Sequence, residues 1–495
     1  MSMSLMKLKS GTDIRGTAVG ENTDLTDEAV RKITWGFLAV MQEKTSLSPA
    51  DMTVAVGHDS RVSAERIKNA VISVLLSEGV KVLDCALSST PAMFMTTVVT
   101  GCTASVQITA SHHPYDKNGL KFFTKDGGFE GSDITAILEK AENAPVSDFS
   151  DVSGAVATDF MSKYAQILRE MICKGVNAEN YDKPLEGFHI VTDAGNGAGG
   201  FYAEKVLGEL GADISGSLFL EPDGMFPNHT PNPENKVAMK FISDAVIASG
   251  ADLGVIFDTD VDRAACVDAS GEEINRNRLV ALASVIALED NPGATIVTDS
   301  VTSDGLHDFI ENHLGGKHHR FRRGYKNVIN EAIRLESEGV CAPLAIETSG
   351  HAALKENYFL DDGAYLITKI IILLAKLRKE GKSLSDLISD MKEPVEEREM
   401  RYRILCDDFR PYGEKVICEL SEYAENQTGW TIAPDNYEGI RISLDKDHGD
   451  GWMLLRLSVH DPVLPFNAES YSQGGVGKIV EQFNKFVEKY ESLSL

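Results

Sequence analysis

Positive charge is what this chain has least of: 48 lysines and arginines stand against 75 aspartates and glutamates, a formal net charge of -27 at pH 7. A field of that sign repels polyanions, so nucleic acid and anionic membrane are disfavoured as partners, and an anionic ligand would need a local basic pocket. Cysteine is sparse as well. Seven in 495 residues, an odd number with no C-x-x-C pair, read as reduced thiols of a cytoplasmic protein rather than a disulfide framework. Long apolar runs are missing: the most hydrophobic helix candidate, 364–377, is interrupted by Lys369 and Lys376 and is shorter than the ~20 residues a bilayer requires. It reads as a buried helix. No secretory or other targeting pattern is visible at the start, and Met1-Ser2-Met3-Ser4-Leu5-Met6 carries no fold signal.

What is present is ordinary globular composition, 43% hydrophobic and 25% charged, in a chain long enough for three or four domains. Three segments share one grammar, a short apolar run ending in a small or acidic turn and followed by a helix-length amphipathic stretch. They are 53–60 before 62–78, 189–196 before 199–210, and 295–300 before 302–314. Alternating units of this kind predict three related α/β domains with mixed sheets. The last hundred residues differ, with strands expected at 405–409, 439–444 and 452–457 around helices at 414–427 and 477–490, a smaller α+β domain. A loop at 144–153, a bridging helix at 159–175 and the break Lys392-Glu393-Pro394 place the domains at 7–155, 156–272, 273–392 and 393–495.

Four loops carry chemistry. Ser111 stands on a polar turn after an apolar run, with His112, His113 and Lys121 expected in the same loop as donors or proton carriers and Gly119 letting the backbone bend toward a ligand. In Val255-Ile256-Phe257-Asp258-Thr259-Asp260-Val261-Asp262-Arg263, alternate carboxylates would gather hard oxygen ligands if the backbone curls, a site suited to magnesium; the bland alternative is a solvated turn. Glu347-Thr348-Ser349-Gly350-His351 follows an apolar run and offers carboxylate, hydroxyl and imidazole to a polyol, though alone it reads equally as a helix cap. In Arg456-Leu457-Ser458-Val459-His460, Arg456 could fork onto a phosphate with Ser458 donating, or pair with a nearby acid. The one dense basic run, 315–326, is either a solvated loop or the wall of an anion pocket.

In register from Gly11 to about Ser470, these loops resemble the α-D-phosphohexomutase family. The match also takes in Gly11-Thr12-Asp13-Ile14-Arg15-Gly16, Asp193-Ala194-Gly195-Asn196-Gly197-Ala198-Gly199-Gly200 and Asp223-Gly224-Met225-Phe226-Pro227-Asn228-His229. The resemblance implies four domains around a central cleft and a phosphoserine enzyme exchanging positions 1 and 6 of a hexose phosphate through a 1,6-bisphosphate of glucose or mannose. It implies Mg2+ held by Asp258, Asp260, Asp262 and the Ser111 phosphoryl group, with Lys121 as general acid/base. His112 and Arg263 would surround the phosphoserine, Arg15 would lie nearby and His351 beside the sugar. Glu347 and Ser349 would bind sugar hydroxyls, and Arg456, Ser458 and His460 the distal phosphate, helped by Arg323 and Lys326. Partners are then small-molecule sugar phosphates, and the protein a monomer or weak homodimer. His351 after Ser349-Gly350 resembles the mannose and mannose/glucose branch more than the glucosamine branch, while Gly324-Tyr325-Lys326 is closer to glucomutase-type sequences. Val459-His460 departs from the small polar residues usual in the phosphate loop.

Rival readings start from the same residues. Asp258-x-Asp260 after an apolar run also resembles the first motif of haloacid-dehalogenase-type phosphatases, with Asp361 and Asp362 as the distal pair and Asp258 as nucleophile. A second rival is a paralogue that binds sugar phosphates without turnover, and a third is a mutase for pentose or glucosamine phosphate.

Overall fold

Near-continuous apolar strands need cover on both faces, and the first sheet supplies it. In this computed structural model, which describes residues 4–145, 148–434, 436–458 and 461–495, Thr53–His58 pairs in parallel with Lys81–Leu87 on one side and Ala104–Ile108 on the other. The crossover helices Ala64–Ser77 and Thr90–Val99 join them. Ala104–Ile108 then turns antiparallel into Lys117–Thr124, which pairs with Asp13–Thr17. Helix Asp27–Thr45 begins at Thr26, whose hydroxyl accepts the Ala29 N–H, and carries Asp27 and Glu28 in its first turn, where they complement the helix dipole. It lies so close to helix Gly131–Glu142 that a Cβ on Gly36 would sit 2.3 Å from the Ile137 carbonyl oxygen.

The second sheet sets Leu253–Phe257 parallel to Ile190–Asp193 and antiparallel to Ala264–Asp268, with Glu273–Ile274 at its edge. Helix Lys236–Ser249 covers it with Ala238, Met239, Ile242 and Val246. The stretch expected as helix at 199–210 is a wide-turned helix, Tyr202–Leu207, running into the tight turn Gly208–Leu210. Helix Phe160–Val176 packs on Gly363–Glu380, the helix read as buried, and is tied to its start by Tyr164 Oη, which donates to Asp362 at 2.6 and 2.7 Å; from the wide-turned helix, Tyr202 Oη lies 2.9 Å from Thr368 Oγ1. The chain accordingly forms two compact units. One is Met1–Asn275 with Ser349–Ser385; the other is Arg276–Thr348 with Asp386–Leu495.

In the second unit Thr295–Thr298 lies parallel to Lys317–Arg320 and Leu344–Ile346, giving three α/β domains with mixed or parallel strands in all. The C-terminal part is an antiparallel sheet in the order Trp430–Ile432, Ile440–Leu444, Gly451–Leu455, Val463–Ser470, Glu396–Ile404 and Leu493–Ser494, covered by helices Phe409–Glu425 and Gly475–Val487. The strand expected at 405–409 is not formed. Leu405 is exposed and Phe409 opens a helix. The strand lies just before, in the charge-rich Glu396–Ile404, where eight residues of backbone pairing with Val463–Ser470 fix it in place of an apolar pattern. Among the described residues no helix is long and apolar enough to cross a membrane.

Trp452 is fully buried in this last sheet, with the Arg441 guanidinium 3.6 Å over its ring and its Nε1 donating to Glu469 Oε2 at 2.9 Å. Burial, opposed by Arg441, pushes the Glu469 carboxyl up from 4.5 to about 7. The folded state therefore keeps a proton that the unfolded chain gives up, and the stability this contributes is full below pH 4.5 and lost as pH rises through 7. Glu469→Gln keeps the acceptor for Trp452 and removes the titration. We expect the variant to match wild type at pH 5 and to exceed it by about 1–3 kcal/mol at pH 8, measured by denaturant unfolding followed by tryptophan fluorescence. Equal stabilities at both pH values would contradict a buried, titrating Glu469.

Candidate functional site

Ser111 is brought to its position by a hairpin. Strand Ala104–Ile108 ends, the turn carries Ser111 at φ +52°, and Lys117–Thr124 returns antiparallel with Gln107 facing Lys121. A left-handed serine is strained, and the strain is held by contacts: the Ser111 N–H donates to Thr109 Oγ1 at 2.9 Å, and Arg61 grips the turn from beneath. The Arg61 side chain is fully buried. Its Nη atoms donate to the carbonyls of Ser111, His113, Pro114 and Lys117 at 2.5, 2.6, 2.7 and 2.9 Å, and its Nε to Asp59 Oδ2 at 3.2 Å. Two expectations change here. Lys121 stands on the return strand rather than in the loop. Gly119 is not a bend toward a ligand; it lets three strands close up, since a Cβ there would lie 2.3 Å from the Ile14 carbonyl oxygen and 2.7 Å from that of Thr109.

The aspartates arrive from the second sheet. After Leu253–Phe257 the chain makes a tight loop through Asp258, Asp260 and Asp262 before returning as Ala264–Asp268, and Val261 takes φ +68°, rare for a β-branched residue. Gly363 makes room for it: its N–H donates to the Val261 carbonyl at 3.1 Å, and a Cβ there would meet the Arg263 carbonyl carbon at 2.7 Å. Each aspartate offers an oxygen within 4.8 Å of the others, and none is more than 2% exposed. They are not solvated. Lys121 Nζ donates to Asp260 Oδ2 at 3.1 Å and to Asp262 Oδ2 at 2.5 Å, Thr90 Oγ1 to Asp260 Oδ2 at 2.5 Å, and Arg263 Nε and Nη2 to Asp258 Oδ2 at 3.3 and 3.2 Å. Asp260 Oδ1 and Asp262 Oδ1 are buried and accept no hydrogen bond from the described residues. Two orphaned carboxylate oxygens in a cluster of three acids fit a hard divalent cation.

Serine and aspartates meet directly. Ser111 Oγ donates to Asp258 Oδ2 at 3.2 Å and accepts from Arg263 Nη2 at 3.0 Å. Arg263 Nη2 also reaches His112 Nδ1 at 2.5 Å; because a guanidinium only donates, that nitrogen accepts and the ring proton sits on Nε2. Burial, with Arg263 beside it, pulls His112 down to about 2, so it is neutral at pH 7. Burial and the carboxylates of Asp262 and Asp260 push Asp258 well above the usual carboxylate range. Asp262 goes the other way, because Lys121, His351 and Arg263 outweigh its burial. His351 joins by a backbone bridge to Arg263, and its Nδ1 lies 2.5 Å from Asp361 Oδ2 and 3.9 Å from Asp262 Oδ1. Burial opposes its protonation, but Asp361 and Asp262 raise it to about 9, making it a cation. Arg15, on Asp13–Thr17, pairs with Asp13 at 2.8 Å and helps to lower His112.

The second unit gathers a different set. The Gly324 N–H donates to Glu347 Oε1 at 2.6 Å, Thr348 Oγ1 to Asp299 Oδ2 at 2.9 Å, and Arg323 Nε lies 4.0 Å from the same Asp299 oxygen. Arg456 Nη1 lies 3.5 Å from Glu438 Oε1. Lys326 is in the first turn of helix Tyr325–Ser337, and Ser458 Oγ accepts from the Asp461 N–H at 3.3 Å. Glu347 follows strand Leu344–Ile346 as an open strand end, not a helix cap. Ser349 belongs with the first unit, and His460 lies outside the described residues. Arg61, Asp59, Thr90, Asp299 and Glu438 join these sites although no motif in the sequence marks them. The available signal was position, since Asp59-Ser60-Arg61 and Asp299-Ser300 both follow a central strand where α/β sheets place their sites.

Family models for phosphoglucomutase/phosphomannomutase alpha/beta/alpha domains I, II and III match residues 6–145, 163–271 and 275–394. The chain is 29% identical over 486 residues to a phosphoglucomutase/phosphomannomutase of Thermococcus kodakarensis, covering 98% of this chain and 99% of that one. It is 29% identical over 490 residues to a phosphoglucosamine mutase of Lacticaseibacillus casei, covering 97% of each. Among solved structures, a phosphoglucomutase/phosphomannomutase family protein of Burkholderia thailandensis superposes with a TM-score of 0.80 at 25% identity, over 100% of both chains.

Charge-assisted hydrogen bonds contribute about 1.5–3 kcal/mol each, and lysine cannot reproduce the arginine fork. Arg61→Lys should therefore raise amide hydrogen exchange across residues 109–117 at least about tenfold while leaving exchange in strand Thr53–His58 unchanged. Unaltered exchange in the turn would show that it holds its shape without the brace.

Proposed function

The chain belongs to the phosphoglucomutase/phosphomannomutase family, and from that premise we propose that it is a hexose phosphate mutase working through phospho-Ser111. The observation that carries this reading is the placement of Ser111 Oγ, 3.0 Å from Arg263 Nη2 and 3.2 Å from Asp258 Oδ2, at the edge of three buried carboxylates. A phosphoryl group on that oxygen would meet the cationic Arg263, whose Nη2 is steadied by the neutral His112 ring through Nδ1. Asp258, Asp260 and Asp262 would hold Mg2+, which when bound offsets the charge of the transferring phosphoryl group.

In the forward half-reaction the bond from phosphorus to Ser111 Oγ breaks and one from phosphorus to a sugar hydroxyl oxygen forms, while the hydroxyl proton leaves. In the return half-reaction the phosphate at the other end of the 1,6-bisphosphate goes back to Ser111, and the oxygen it leaves takes a proton. Lys121 Nζ, carried by the middle of the buried strand Lys117–Thr124 and set beside Asp260 and Asp262, is positioned to exchange that proton. His351, held as a cation by Asp361, and Arg15 are positioned to bind anionic or hydroxyl oxygens of the substrate. Glu347 accepts and Ser349 donates to adjacent sugar hydroxyls, and Arg456 with Ser458, Arg323 and Lys326 takes the phosphate that is not reacting. Glucose and mannose phosphates are the substrates this loop favours. The rival phosphatase reading loses its distal acids, because Asp361 is committed to His351 and Asp362 to Tyr164.

We expect glucose 1-phosphate to be converted to glucose 6-phosphate in the presence of glucose 1,6-bisphosphate, with Ser111→Ala lowering turnover at least about a thousandfold. Peptide mapping should find an acid-stable phosphate on Ser111; a hydroxylamine-labile acyl phosphate on Asp258 would overturn the proposal. Chelation should abolish turnover and Mg2+ restore it. Calorimetry, which needs no turnover, should show Mg2+ binding to the wild type and none to Asp260→Asn at the same concentrations.

A further inference from the structure

In the second unit, the corner made by Ser300, Arg323 and Arg456 is filled by a carboxylate of the protein itself. Glu438 sits just before strand Ile440–Leu444, and its side chain is 13% exposed. Its Oε2 accepts from Ser300 Oγ at 2.6 Å and from the Arg323 N–H at 3.0 Å, and its Oε1 lies 3.5 Å from Arg456 Nη1. Hydroxyl, amide N–H and guanidinium converging on one anion is the donor set that recognises a phosphate oxygen. Arg456 remains poorly met even so: its Nε is buried and donates to nothing among the described residues. A long contact on one side and an orphaned donor on the other mark a cation whose best partner is something other than Glu438.

We propose that Glu438 is an internal anion that occupies the Ser300–Arg323–Arg456 corner and is displaced by the substrate's phosphate, so that its charge sets how tightly phosphate is held. This rests on the assignment of Arg456 to the non-reacting phosphate. Two anions cannot share one set of donors, so an entering phosphate must break the contacts to Ser300 and Arg323 and outcompete Glu438 at Arg456. A dianionic phosphate can do so; a singly charged anion of similar size is at a disadvantage. A fixed strut at the same place would behave oppositely, since removing its charge would loosen Arg456 and weaken phosphate binding.

Glu438→Gln separates the two. The amide oxygen can still accept from Ser300 and Arg323, so the fold is kept while the competing charge goes. Inorganic phosphate, titrated calorimetrically into the full-length proteins, should bind the variant at least tenfold more tightly than wild type, and KM for glucose 1-phosphate should fall in step. Affinity unchanged or weaker, with an unaltered unfolding midpoint, would overturn the proposal, as would phosphate binding to neither protein. If Glu438→Gln does not fold, Glu438→Asp decides: the shorter carboxylate draws back from Arg456, and phosphate affinity should rise, whereas no rise overturns the proposal. Phosphate binding is read without turnover, so tighter binding in a protein that converts no hexose phosphate would fail the mutase reading and leave this inference standing.

Discussion

Three carboxylates held out of water within 4.8 Å of one another are the constraint around which the first unit is arranged. Such a group survives only where cations and donors face it, and removing a partner from a buried charge costs about 3–5 kcal/mol. The partners come from distant parts of the chain. Lys121 reaches in from a strand of the first sheet, Thr90 from the first turn of a helix, Arg263 from the end of the aspartate loop and His351 from beyond residue 348. Satisfying the acids therefore draws together the first sheet, the second sheet and the returning segment. The same balance divides the acids by role, with Asp258 raised by burial and its neighbours and Asp262 lowered by the cations around it.

The two units meet the problem of a buried charge in opposite ways. In the first, three acids cluster, and two of their carboxylate oxygens accept no hydrogen bond from the described residues. In the second, a basic corner is closed by an acid of the chain, and a guanidinium nitrogen is left over. One arrangement suits an added cation and the other an added anion. The pentapeptide from Glu347 to His351 runs from the second unit into the first, so a single loop carries side chains of both kinds of site.

What could be read from the sequence was whatever adjacent residues carry. The strand, turn and helix grammar placed Thr53–His58, Ile190–Asp193 and Thr295–Thr298, and the alternation of acids placed the loop from Asp258 to Asp262. Ser111 was legible for the same reason, as a hydroxyl at the end of an apolar run. Residues whose meaning lies in a contact 50 to 170 positions away were not: Arg61 under the serine turn, Thr90 on Asp260 and Glu438 on Ser300 are ordinary polar residues until the chain is folded. Glu396–Ile404 was hidden differently. A strand fixed by backbone pairing need not alternate, and its charges disguised it, while Leu405 and Phe409 next to it looked more strand-like than they are.

Helix Phe160–Val176 buries Tyr164 against Asp362, 198 residues later, and Tyr202 waits for Thr368, 166 residues on. Emerging from a ribosome, the first unit cannot close until its final segment, ending at Ser385, has been made. At ~5–20 residues per second the apolar face of that helix stays bare for roughly ten to forty seconds. Throughout that interval the nascent chain lacks helix Gly363–Glu380, on which this face packs. A chaperone that shields apolar surface would have its longest opportunity there, and a translational pause between residues 176 and 363 would lengthen the exposure.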